Sequence, residues 1–160
     1  MTPILIDTDP GIDDALALLL AFGSPGVSVE AISTVAGNIE VGLATDNVFR
    51  ILDVARPARR PRVAQGAPAP LRQPLVTAPH VHGSDGLGNL GQFLQPDGRP
   101  RYPEPPHVLE TLDGADLILD TVKKFPDRLV LVALGPLTNI ALAVQRDPEA
   151  LRRCARIVVM

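Results

Sequence analysis

Four aspartates, Asp7, Asp9, Asp13 and Asp14, fall within eight consecutive positions of the opening stretch ILIDTDPGIDDALALLLAFG, residues 4–23. An apolar run with strand character precedes them and an apolar run with helix character follows. Carboxylates so placed can hold a cation, remove a proton from water, or face positive charge that develops in a reaction. Helix capping and dipole compensation account for one or two of them, from the first-turn pair Asp13 and Asp14. They do not account for Asp9 on the far side of the tight Pro10–Gly11 turn. Two carboxylates ~4 Å apart repel by roughly 4 kcal/mol at an effective dielectric of 20. A cation between them converts that cost into binding. The donors on offer are hard oxygens, with no cysteine or paired histidine nearby, so Ca²⁺ or Mg²⁺ is expected rather than Zn²⁺.

The elements that must position these groups alternate in type along the chain. Strands are expected at 3–6, 27–37, 62–66, 128–134 and 155–160, and helices at 15–22, 41–55, 114–125, 135–145 and 147–154. Gly23 and Pro25 close the first helix, and Pro126 ends the one at 114–125. This βαβα order predicts an α/β fold, an open, mostly parallel, doubly wound sheet with helices on both faces. Ligands of such sheets bind beyond the carboxyl ends of the strands. Asp7 and Asp9, Asn38, Leu134 and Gly135, and Met160 each follow or end a strand and should converge on that edge. Residues 67–107 are expected to form a long irregular loop, because eleven of the 17 prolines lie between Pro57 and Pro106 and regular elements tolerate proline poorly. The RIVVM run that ends the chain has the apolar, β-branched composition of a strand buried on both faces.

Composition narrows the function classes. The chain has 160 residues, is 46% hydrophobic, carries a net charge of −3, and has four Phe and one Tyr. A nucleic-acid binder would show basic stripes and stacking aromatics, so none is expected. The one basic cluster, Arg56, Arg59, Arg60 and Arg62, sits among prolines and reads as a solvated connection. Cys154 is the sole cysteine, so no internal disulfide forms; a small buried apolar role and a reducing compartment fit it. No apolar run reaches the ~20 residues of a membrane span, and Asp7 interrupts any signal-like segment. A soluble, cytoplasmic protein without membrane contact is the expectation.

DTDPGIDDA, with TVAGN (34–38) some two dozen residues later, resembles the nucleoside hydrolases, the inosine–uridine-preferring N-ribohydrolase family. HVHGSDGLG (80–88) and ALGPLTNIA (133–141) resemble later motifs of that family in the same order, and RIVVM the strand that follows. The resemblance covers essentially the whole chain as the N-terminal part of a single domain, with roughly as much sequence again expected beyond it. It implies a Ca²⁺-containing site that cleaves the N-glycosidic bond of ribonucleosides. It further implies that Asp9 and Asp14 side chains and the Leu134 carbonyl hold the calcium, and that Asp9 takes a proton from the attacking water. Asp13 would bind the ribose hydroxyls, Asn38 would face sugar and water, His82 the base, and Met160 the sugar pocket. For Asp7 the resemblance implies no catalytic role, leaving support or turn formation. A ribonucleoside is then the partner, and a homo-oligomer, dimer or tetramer, the expected assembly.

The chemistry is consistent with these roles. Breaking a ribosyl–base bond develops oxocarbenium character, which negative charge beneath the sugar stabilises. A large, flexible calcium shell accommodates carboxylates, a carbonyl, water and a diol together. Of the other polar loop residues, Asp85 reads as a turn former, His107 as structural, and His80 has no clear role. Two rivals stand beside this reading. Strand-Asp-x-Asp is similar to the haloacid dehalogenase-like phosphatases, with Asp7 as nucleophile, although those carry Thr or Val where this chain has Gly11. The other is a non-catalytic fragment that binds metal or ribose, or self-associates.

Overall fold

A computed structural model describes residues 1–104 and 106–160; Pro105, within the stretch read as irregular, lies outside the described residues. Five strands, β1 (Thr2–Thr8), β2 (Val27–Thr34), β3 (Arg62–Gln65), β4 (Val130–Ala133) and β5 (Arg156–Val159), form one sheet in the order β3-β2-β1-β4-β5. Every pairing within this sheet is parallel. The helices are α1 (Ile12–Gly23), α2 (Val41–Ala55), α3 (Pro79–His82), α4 (Gly114–Lys124), α5 (Thr138–Arg146) and α6 (Pro148–Leu151).

Side-chain alternation along β1 builds the two layers. Ile4 and Ile6 join Ile32 and Val63 beneath α1 and α2, where Leu18, Val48, Phe49, Ile51 and Leu52 complete one core. Leu5 turns the other way, with Ala31, Ala64 and Leu131, under Leu117, Ile118, Val122, Ile140 and Ala143 of α4 and α5. The period of two therefore carries Asp7 to the α5 face and Thr8 to the α1 face. The doubly wound architecture follows from that alternation, with helices on both faces as expected.

Several boundaries differ from the sequence expectation for local reasons. β2 stops at Thr34: Val35 N–H still donates to the Thr8 carbonyl at the end of β1, but the next amide, Ala36 N–H, turns to the Ala67 carbonyl beyond β3. α5 begins at Thr138, beyond Pro136. The proline-rich stretch is not devoid of regular structure. Pro79 occupies the first turn of α3, where its missing N–H costs nothing, and Leu90–Gln92 form a 3₁₀ turn. The stretch is also tied down at its end: Glu110 N–H donates to the Val63 carbonyl at 2.8 Å, and the His107 ring stacks on Phe49 at 4.7 Å. The arginine cluster is only partly a solvated connection. Arg62 bridges Glu110 and Asp120 of α4, fastening the returning loop to β3. Cys154 packs half-buried against the α4–α6 core, where burial raises its thiol pKa. No helix among the described residues is long and apolar enough to cross a membrane.

β5 departs most from its composition. It pairs with β4 along one side only, and Ile157, Val158 and Val159 are 41%, 43% and 54% exposed. An apolar edge strand with both faces bare is a template for association. The 160-residue chain is expected to elute from size-exclusion chromatography at tens of micromolar as species larger than its 17.0 kDa monomer. Val158→Lys with Val159→Lys should shift it to the monomer position; an unchanged elution would place the association elsewhere.

Candidate active site at the carboxyl edge of the sheet

The site is built where β1, β2 and β4 end. Asp7 lies in register between Ser33 of β2 and Ala133 of β4 and is fully buried. Its Oδ1 accepts from Ser33 Oγ and from Asn139 Nδ2 (2.8 Å), while its Oδ2 has no partner among the described residues. Burial pushes its pKa up to about 7, against the lowering effect of those two hydrogen bonds. A carboxylate enclosed in this way cannot reach a substrate, which removes the phosphatase reading in which Asp7 is the nucleophile.

Beyond the strand the chain turns sharply. Asp9 is 4% exposed, and its Oδ2 accepts from the Asn38 backbone N–H at 2.7 Å. A Cβ on Gly135 would meet Asp9 Oδ1 at 2.6 Å, and one on Gly37 would also collide with the Asp9 carboxylate. Glycines at the ends of β2 and β4 thus let the backbone close around this one side chain. Burial raises the Asp9 pKa to about 6, and Asp14 adds to the rise. Gly135 follows Leu134, whose N–H donates to the Asp7 carbonyl at 2.8 Å, so the Leu134 carbonyl comes from the same short segment that packs on Asp9.

Asp14, 3% exposed, faces the turn from the first turn of α1. Its Oδ1 accepts from Thr8 Oγ1 at 2.6 Å and its Oδ2 from the Gly11 N–H at 3.1 Å, the reach-back contact of a helix cap. The Asn38 amide lies between the two acids, with Nδ2 3.4 Å from Asp14 Oδ2 and 3.3 Å from the Asp9 carbonyl. Asp13 is different. Its side chain is 63% exposed and its Oδ1 lies 3.8 Å from His82 Nδ1. His82 enters from α3, its ring against Gly11 and its Nδ1 accepting from the Ile12 N–H at 3.3 Å.

Asp9, Asp14, Asn38, the segment at Leu134, Asp13 and His82 are therefore gathered around one turn. Met160 is further off, just past the end of β5 two strands from β1, its N–H bonded to the Ala133 carbonyl and its side chain 78% exposed. His80 is exposed, His107 sits against Asp46 and Phe49, and the Asp85 carboxylate binds the loop amides of Leu87 and Asn89, as a turn former should.

The charge balance is the notable property. Asp7, Asp9 and Asp14 are all buried, yet among the described residues no lysine, arginine or histidine lies within ion-pairing distance of any of them. Uncompensated buried carboxylates are costly. The donor set, two carboxylates and a neighbouring carbonyl, suits a hard divalent cation. No cluster of three or more His, Cys, Asp or Glu side chains with metal-holding geometry occurs among the described residues, so these oxygens make up only part of a shell.

Asn139 is a residue that sequence reasoning passed over, although it stands inside GPLTN. From the first turn of α5 its Nδ2 donates to Asp7 Oδ1 and to the Thr34 carbonyl, each at 2.8 Å, and its Oδ1 accepts from Ala67 N–H at 2.8 Å. One side chain thus joins the ends of β1 and β2 to the segment after β3. Gly66 and Gly114 leave the space for it; a Cβ on either would strike the amide.

The model of the family described as inosine-uridine preferring nucleoside hydrolase matches residues 4–160. A probable uridine nucleosidase 2 of Arabidopsis thaliana is 42% identical over 159 residues, covering 98% of this chain and 46% of the relative. The pyrimidine-specific ribonucleoside hydrolase RihA of Citrobacter koseri is 40% identical, covering 99% and 47%. Among solved structures, a plant nucleoside hydrolase, PpNRh1, superposes with a TM-score of 0.84 at 36% identity, covering 99% of this chain and 47% of that one. A purine-preferring ribonucleoside hydrolase from Gardnerella vaginalis gives 0.85 at 29% identity, covering 99% and 48%. The chain spans about half the length of the curated relatives it matches.

Removing the Asn139 amide takes a hydrogen bond from three buried groups, Asp7 Oδ1, the Thr34 carbonyl and the Ala67 N–H. Asn139→Leu should lower unfolding free energy by on the order of 3 kcal/mol in urea titrations, whereas a loss under ~1 kcal/mol would show that the three contacts are dispensable.

Proposed function

The chain belongs to the inosine-uridine preferring nucleoside hydrolase family, and from this we propose that it supplies the cation- and ribose-binding part of an enzyme that hydrolyses ribonucleosides to ribose and free base. In this reading residues 1–160 are the N-terminal part of one hydrolase domain, with 67–107 an irregular loop within it. The observation that carries the reading is the set of buried carboxylates at the carboxyl edge of the sheet that have no cationic partner among the described residues.

Asp9 and Asp14 are the side chains that would hold Ca²⁺, with the Leu134 carbonyl beside Asp9. Bound there, calcium would grip the vicinal ribose hydroxyls and acidify a water. The rest is work for the chain's own groups. Asp9 removes the proton from the attacking water as general base. Asp13, the exposed acid, accepts the ribose hydroxyl hydrogen bonds. Asn38, already bonded to both Asp9 and Asp14, presents its amide to sugar and water. The negative charge of this cluster lies beneath the sugar, where the leaving of the base generates oxocarbenium character. His82 faces the base, and Met160 lines the sugar pocket. The relatives above are named for uridine, pyrimidine and purine substrates, so the substrate class proposed is the ribonucleoside, with the base left to a panel of inosine, uridine, adenosine and cytidine.

A second reading has its own observation. Among the described residues no three His, Cys, Asp or Glu side chains are grouped to hold a metal ion. Two carboxylates with one carbonyl fall short of the roughly six to eight oxygens that calcium takes, which favours binding without turnover by these 160 residues alone. Ribose binding in calorimetry, with no base released from any of the four nucleosides, would select it.

Calorimetric Ca²⁺ titration checks the site assignment. Asp9→Asn and Asp14→Asn should each weaken binding by about tenfold or more. Unchanged affinity in both would remove the assignment. The sugar reading is checked by comparing uridine with 2′-deoxyuridine. Loss of one hydroxyl contact, on the order of 2–3 kcal/mol, should lower kcat/KM roughly 30- to 150-fold. Equal rates would contradict a diol grip.

A further inference from the structure

His82 is carried by residues 78–90, a loop with one short helical turn, yet it is held against the aspartate turn at several points. Ala78 N–H donates to the Asn38 carbonyl at 2.8 Å. Ile12 N–H donates to His82 Nδ1 at 3.3 Å, so that ring nitrogen serves as the acceptor. Gly88 N–H closes the loop on the His82 carbonyl at 2.8 Å. The Asp85 carboxylate gathers the amides of Leu87, Asn89 and Leu90.

The third anchor comes from neither motif. Asn47, fully buried on α2, donates from Nδ2 to the Asp85 carbonyl at 2.8 Å and to the Pro10 carbonyl at 3.3 Å. Pro10 lies in the turn between Asp9 and the Asp13–Asp14 pair, and Asp85 lies three residues after His82. One amide group thus ties the carboxylate turn to the histidine loop. Its orientation is set from behind, since Oδ1 accepts from Arg50 Nη1 at 2.9 Å and Arg50 Nη2 is in turn bonded to Glu104 at 2.9 Å. The loop is shaped to receive it. Gly86 has a φ of 77°, and a Cβ there would lie 2.9 Å from Asn47 Nδ2 and 2.7 Å from Ile39 Cδ1.

We infer that Asn47 is a positioning residue, which sets the distance between the aspartate turn and His82 by bonding the Pro10 and Asp85 carbonyls at once. The functional half of this inference rests on the ribonucleoside reading, in which His82 meets the base; the geometric half does not. Asn47 touches none of the groups proposed to contact substrate, and its influence passes through the two backbone segments.

Hydrogen exchange on the 160-residue chain tests the geometric half. In Asn47→Ala the amides of residues 82–90 should exchange about tenfold faster or more, while α4 and β4 stay within about twofold of the parent. Gly86→Ala, which pushes the loop off the amide without removing it, should give the same local pattern and decides the matter if Asn47→Ala does not fold. Unchanged exchange in the loop, or an equal rise in the loop and in α4, would overturn the inference. Calorimetry then separates positioning from general support. Asn47→Ala should weaken uridine about tenfold and free ribose less than about twofold, and equal weakening would overturn the role toward His82. A parent chain that binds neither ligand would count against the ribonucleoside reading, and the exchange result alone would then uphold or overturn the tie.

Discussion

The structure turns on a repulsion that the fold itself leaves unbalanced. Three carboxylates are enclosed where β1 ends, and the surrounding groups give them hydrogen-bond donors but, among the described residues, no positive charge. Hydrogen bonds lower part of the cost of burying a charge; they do not supply a counterion. A group buried this way either takes up a proton or waits for a cation. The raised pKa values of Asp7 and Asp9 are the first of these responses, caused chiefly by burial.

The rest of the architecture serves to hold that arrangement rigid. Alternation along β1 sends Asp7 toward α5 and Thr8 toward α1, so that consecutive residues fasten the strand end to opposite helical layers. Asn139 and Asn47 are counterparts in this respect. Each is a fully buried amide that bonds backbone segments far apart in the chain, one on each face of the sheet. Glycines recur where these amides and Asp9 need room: Gly37 and Gly135 around Asp9, Gly66 and Gly114 around Asn139, Gly86 against Asn47. The glycine content of the motifs is thus a packing requirement as much as a conformational one.

Much of this was legible in the chain before its structure. Apolar runs at 3–6, 27–37 and 128–134 read as parallel strands, and the rule for the carboxyl edge of such sheets brought Asp9, Asn38 and Leu134 together. The family likewise followed from motif order. What was not legible depended on contacts with no local signature. Asn139 meets Asp7 across 132 positions and Asn47 meets Asp85 across 38, and a lone asparagine in a helical segment looks like any polar residue. Arg62 read as solvated because its partners, Glu110 and Asp120, lie beyond the long loop. β5 has the composition of a strand buried on both faces, yet its faces are open, because composition reports the environment a strand is suited to and not the one it has.

The central claim is that Asp9 and Asp14 form a cation site, and stability under added calcium tests it most directly. A cation that binds only the folded chain raises its unfolding free energy by about 1.4 kcal/mol for each tenfold excess over the dissociation constant. Urea unfolding of the 160-residue chain should therefore shift to higher midpoint as Ca²⁺ is raised through the millimolar range, with a constant slope against urea. The shift should vanish in a chain carrying Asp9→Asn and Asp14→Asn together. A midpoint indifferent to calcium in the parent chain, or an equal shift in that double variant, would contradict the account.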